Sequence, residues 1–100
     1  NDNLNRVQDD IRLEVQTARV SLTQALERVR LSESSLEKAK ENEQKALERY
    51  TEGRISIVEV IDAQTYRQTS QVNYVQARAA AQIQYSALLK ATNRYNMASR

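Results

Sequence analysis

A single glycine, Gly53, and no proline anywhere in 100 residues leave this chain one clean place to reverse direction. Tight turns take Gly, Pro or Asn at defined positions, because these residues reach backbone angles that others reach only with strain. The rest of the composition is dominated by Ala, Gln, Glu, Arg, Ser and Leu, the residues of long helices. A β-rich or loop-rich fold is excluded. The expected fold is all-α, a single antiparallel hairpin of two long helices.

The same composition narrows the chemistry. There is no His and no Cys, so the usual general base, thiol nucleophile and soft metal ligands are missing. No catalytic residue, metal site or cofactor is expected, and the chain reads as something other than an enzyme. The 15 basic and 13 acidic residues are interleaved. Despite a pI near 9.1, this is the pattern of solvated helix faces and not of a nucleic-acid stripe. Tyr66, Tyr74, Tyr85 and Tyr95, with Arg67, Arg78 and Arg94 between them, suggest base stacking only superficially, because these tyrosines fall at core spacing. No run approaches the roughly 20 apolar residues of a membrane span. The chain carries no signal peptide and no initiating Met, which reads as a piece of a longer protein. The absence of cysteine fits an exported helical protein.

From Val15 onward, apolar residues recur at alternating steps of three and four: Val15, Ala18, Leu22, Ala25, Val29, Ser32, Leu36, Ala39, Glu43, Ala46, Tyr50. With Ser32 and Glu43 as its polar members, this is a coiled-coil seam, and its alanines let a partner helix come close. Leu4, Val7 and Ile11 extend it toward the N-terminus, where Asp2 or Asn3 is positioned to cap. A first helix is expected over residues 3–51, about 70 Å long at 1.5 Å per residue. Ser34 and Glu37 stand at capping-box spacing and mark one place where the helix could divide, although the apolar stripe runs through without a phase change.

The turn is the most informative stretch. Gly53 takes a left-handed conformation without steric cost and belongs just past the first helix. Three residues later Ser56 and Glu59 stand at capping-box spacing, flanked by Ile55 and Val60 at the spacing of a hydrophobic staple. The turn is thus expected over residues 52–56, with a second helix over 57–97. That helix carries two apolar stripes. One is Val58, Ile61, Val72, Val75, Ala79, Ile83 and Leu89; the other is Ala63, Tyr66, Tyr74, Ala77, Ala81, Tyr85, Leu88, Ala91 and Tyr95. Positions 74 and 75 differ by about 100° around a helix, so the stripes face two neighbours where a lone hairpin offers one. Association with further helices is expected, either of the same parent protein or of a second copy in a four-helix bundle.

The run from Arg49 to Gln64 resembles the hairpin tip of the TolC-like outer-membrane factors, the exit channels of bacterial tripartite efflux pumps and type I secretion systems. The matching residues are Tyr50, Gly53, Ser56, Glu59, Val60, Ile61, Asp62, Ala63 and Gln64, within Ala- and Gln-rich coiled coil on both sides. The resemblance implies a hairpin of a trimeric twelve-helix α-barrel in the periplasm, anchored by a membrane β-barrel that lies in other parts of the parent. It assigns Glu52, Gly53, Arg54, Ile55 and Ser56 to the rim that meets the hairpin tips of a periplasmic adaptor. It assigns Tyr50, Glu59 and Asp62 to the constricted, acid-lined mouth. The repeat of the family that carries the gate has Arg at the place of Ile55, so the salt links of that gate are not carried over.

The residues also admit plainer roles. Glu59 is first a capping residue, Tyr50 closes the end of the seam, and Arg54 is either a solvated charge or a partner contact, since the tip offers it nothing else to pair with. Two other readings stand beside the channel. One is the hairpin of the periplasmic adaptor itself, whose tips also show a Gly, aliphatic, Ser turn. That reading is disfavoured because the chain continues helical through Lys90 to Tyr95. The other is a purely structural coiled coil.

Overall fold

The computed structural model describes residues 2–98, the side chains from Asn3 onward. The chain is all-α. Helix α1 spans Asp2–Thr51 and helix α2 spans Ile57–Ala98, with no strand among the described residues. The candidate break at Ser34 is absent: α1 is continuous through it and Ser34 is exposed. Asn3 lies inside the helix, and a capping role for Asp2 falls outside the described side chains.

Both helices contribute to two compact units, Arg28–Ala77 and Asn1–Glu27 with Arg78–Arg100. In the Arg28–Ala77 unit, α1 buries Leu36, Ala39 and Ala46 and half-buries Val29, Ser32 and Glu43. Facing them, α2 buries Val60, Ala63, Ser70 and Ala77 and half-buries Arg67 and Tyr74. Both sets follow the three-four alternation of knobs-into-holes packing. Most of the fully buried residues are Ala or Ser, which permits close approach of the two backbones. The polar pair in this seam is complementary: Arg67 Nε donates to Glu43 Oε2, with side chains 28% and 20% exposed, and Arg67 Nη1 donates to Gln71 Oε1 at 3.1 Å. Glu43 and Arg67 therefore form the one charged layer among the buried and half-buried residues of this unit's seam.

In the second unit α1 buries Ile11 and Ala25 and half-buries Val15, Ala18 and Leu22, while α2 buries Ala81 and Ala91 and half-buries Leu88 and Tyr95. Leu4 and Val7 depart from expectation, being 55% and 50% exposed. Gln8 is half-buried instead, and its Nε2 donates to the Ala98 carbonyl at 3.3 Å. The three-four phase of the seam passes through residue 8, one position away from Val7, so the apolar side chain is rotated out. Arg94 Nη1 reaches both carboxylate oxygens of Glu14, at 3.0 and 3.1 Å, on an exposed surface where such a pair contributes less than about 1 kcal/mol.

The two stripes of α2 separate cleanly. Val58, Ile61, Val72, Val75, Ala79, Ile83 and Leu89 are all exposed. The second stripe supplies most of the inner seam, but Tyr66 and Tyr85 leave it, exposed by more than half. Val60, Arg67, Ser70 and Gln84 take inner positions that the apolar pattern did not mark.

Candidate functional site

The tip lies within the Arg28–Ala77 unit. At the end of α1 the Gly53 N–H donates to the Tyr50 carbonyl at 2.9 Å and the Arg54 N–H to the Arg49 carbonyl at 2.8 Å. These are the paired 5→2 and 6→1 bonds of a Schellman motif, closed by Gly53 at φ +74°. The carbonyls of Arg49 and Tyr50 thereby find backbone donors, and the Thr51 hydroxyl donates to the Leu47 carbonyl at 2.9 Å. Space around Gly53 is open, with no atom beyond the glycine and its two chain neighbours within 4 Å of where a Cβ would sit. Substitution is thus limited by the left-handed backbone alone. Gly53→Ala is expected to destabilise the chain by about 1–2 kcal/mol and Gly53→Val by more, because its branched Cβ crowds the same backbone. Thermal melts followed by circular dichroism check this; two native-like melts would mean that the turn relaxes to another geometry.

Ser56 precedes α2, but its link to Glu59 differs from the expected capping box. The bond is between backbone groups, from the Glu59 N–H to the Ser56 carbonyl at 3.2 Å, and no side-chain bond between the two is found among the described residues. Glu59 is exposed, and no side-chain bond of it to the cap is found among the described residues. Its position in the first turn of α2 still suits the helix dipole. Ile55 is half-buried and Val60 is 2% exposed, so both residues of the staple pattern are turned inward.

Glu52, Gly53, Arg54 and Ser56 are exposed. Arg54 is not without a local partner: its Nη1 lies 3.1 Å from Glu52 Oε2 across the glycine, with both side chains more than half exposed. Such a pair is weak in water and yields easily to a stronger partner.

Glu59 and Asp62 are brought together. They line one open groove of about 330 Å³, with Asn42, Ala46 and Arg49 contributed by α1 and Ile55, Ala63 and Tyr66 by the turn and α2. Two carboxylates and one guanidinium thus surround an alanine floor, and no ion pair joins Arg49 to either acid among the described residues. Tyr50 is not part of this groove; it is 45% exposed on α1 beyond the last buried seam residue, Ala46. Arg49 and Tyr66 belong to the groove and were not anticipated. Their signal was the register itself: once α1 and α2 fold back at Gly53, the residues one turn before the glycine and one turn after Asp62 flank the same opening.

Among the described residues, no group of three or more Asp and Glu stands close enough to hold a metal ion, and no helix is long and apolar enough to cross a membrane. The chain matches no protein-family model, no curated protein and no solved structure.

Proposed function

We propose that this chain is a periplasmic tunnel hairpin of a TolC-like outer-membrane efflux or secretion channel, whose tip gates the channel and docks the adaptor of a tripartite pump. The observation that carries the reading is the tip. A tight turn closed by Gly53 presents Glu52, Arg54 and Ser56 to solvent, and Glu59 and Asp62 follow one helical turn apart on one groove. This agrees in residue type and spacing with the family pattern. A second support is the exposed apolar stripe of α2, which calls for a further helix beside it.

The mechanism is the opening of a helical iris with no bond chemistry. Tips held together by mutual contacts splay when adaptor hairpins mesh with them, and the carboxylates of Glu59 and Asp62, repeated around a trimer, line the widened mouth and favour cations. Each tip contact is small, so docking draws its strength from several tips engaging at once. The weak Glu52–Arg54 pair opens at that step and frees the guanidinium for the adaptor.

The test is a photocrosslinker placed at Arg54 of the full-length parent in living cells, with identification of the captured protein. A periplasmic adaptor is the expected product. Capture of a channel subunit would move the chain to the adaptor side of the junction, and self-crosslinks alone would reduce it to a structural coiled coil.

A further inference from the structure

We propose that a second groove of the Arg28–Ala77 unit, farther from the tip, is a binding site for a small organic oxyanion, a phosphate or carboxylate carried on an apolar body. The inference does not depend on the channel reading. The groove has a volume of about 240 Å³ and is lined by Arg28, Ser32 and Ser35 from α1 and by Thr69, Ser70 and Asn73 from α2, with Leu31 and Tyr66 beside them.

Ser70 is the residue that points to a ligand. It is the one buried polar residue among the described residues, at 6% exposed. Buried hydroxyls are ordinarily hydrogen-bonded, and a helical one has the carbonyl four residues back within reach, as the bonds of Thr23 to Arg19 and of Thr51 to Leu47 show at 2.9 Å. No hydrogen bond of the Ser70 side chain is found among the described residues, yet no side-chain oxygen sealed from solvent lacks a partner there. The Ser70 hydroxyl therefore opens on the groove that its residue lines.

The rest of the lining supplies donors. Arg28 brings a fork of N–H groups, Ser32, Ser35 and Thr69 bring hydroxyls and Asn73 an amide, and none of these side chains has a hydrogen bond or ion pair among the described residues. No carboxylate lines the groove. Nor does α1 offer Arg28 an acid at pairing distance, since Gln24, Ala25, Leu31 and Ser32 stand three and four residues away. A guanidinium that no acid neutralises, beside hydroxyl donors, suits an anion that it can grip at two oxygens. Leu31 and Tyr66, both more than half exposed, add an aliphatic side chain and a ring. The seven-residue step from Arg28 to Ser35 runs about 10 Å along α1, which leaves room for a ligand body against that ring.

Tyr66 also lines the groove of Glu59 and Asp62, and Glu59, Asp62, Tyr66, Thr69 and Asn73 follow one three-four step along α2. Both grooves thus lie on one face of the unit. Glu59, Asp62 and Asn73 each follow Val58, Ile61 or Val72 by one position, about 100° around the helix. A helix seated on the exposed aliphatic stripe therefore leaves this face open.

Titration of the isotope-labelled chain with phenyl phosphate or with benzoate, at constant ionic strength and followed by amide chemical shifts, tests this. Saturable shifts centred on residues 28–35 and 66–73 are expected for at least one of the two, and the tighter binder names the anion. Dissociation in the millimolar range is expected from one charged contact and a few neutral hydrogen bonds in water. Arg28→Gln should weaken binding about tenfold or more and Ser70→Ala about threefold, with helical content unchanged. Lys40→Gln, at a position that does not line the groove, should bind as the native chain does. Inorganic phosphate lacks the ring and should bind more weakly than phenyl phosphate. Shifts that grow without saturating for both ligands, shifts centred on other arginines, an Arg28→Gln chain that binds like the native one, or inorganic phosphate that binds as tightly as phenyl phosphate would each overturn the proposal.

Discussion

Replacing Ala39 by Leu is expected to destabilise the chain by about 1–3 kcal/mol, or roughly 4–8 °C of melting temperature per kcal/mol for a chain of this size. Ala39 is 0% exposed, in a seam whose buried members include Ala46, Ala63, Ser70 and Ala77. Small residues on both sides allow the helix axes to approach to the short end of the usual 8–10 Å. Three extra carbon atoms have to be fitted where the side chain is already closed off from solvent. They either push the helices apart, which strips contacts from neighbouring layers, or force a strained rotamer. Ser34→Leu, on the exposed side of the same helix, should leave the melting temperature unchanged or slightly raised, because Leu is the better helix former. Circular dichroism melts of the two variants decide the matter. A native melt for Ala39→Leu would mean that the helices are not closely packed at this layer.

The second large effect is expected at the Glu43–Arg67 layer and takes the form of a cycle. Either single change, Glu43→Leu or Arg67→Leu, leaves the remaining charge half-buried against apolar neighbours and should cost about 1–3 kcal/mol. That is less than the 3–5 kcal/mol of a fully buried pair, because water still reaches both groups here. The double variant should recover the native stability or exceed it, since two leucines in a seam position bring hydrophobic burial with no charge to desolvate. Chemical denaturation of the four chains yields the coupling directly. Neutral single variants, or a double variant as unstable as the sum of the singles, would show that the pair is incidental. The layer also has a role that stability does not measure. An alanine-rich seam looks much the same at every layer, and one complementary polar pair distinguishes the correct register from a slipped one.

The tip was the most legible part of the chain. The reversal at Gly53 followed from its being the only residue suited to a left-handed turn, and the structure places it there with the bonds of a Schellman motif. That Glu59 and Asp62 share a surface followed from their spacing on one helix. Other details were not legible. The Glu52–Arg54 pair depends on how two side chains meet across the turn, and the backbone bond at Ser56 displaces the side-chain cap that the spacing allowed. Arg49 and Tyr66 enter the groove from opposite sides of the turn, so nothing within either helix alone marks them as neighbours.

By itself the sequence determined that the chain is two helices, where they reverse, and which face of α1 is covered from Ile11 to Ala46. These properties are set locally, by the absence of proline and of any second glycine and by a single well-phased apolar stripe. It did not determine which face of α2 meets α1. That helix is apolar on two sides, and hydrophobicity alone favours the larger residues Val58, Ile61, Val72 and Val75 for burial. Tertiary structure chose the other side, where Ala63, Ser70 and Ala77 are small enough to seat against the alanines of α1 and Arg67 meets Glu43. Close packing between backbones and one charge pair across 24 residues of sequence decided it, and both exist only when the two helices are side by side.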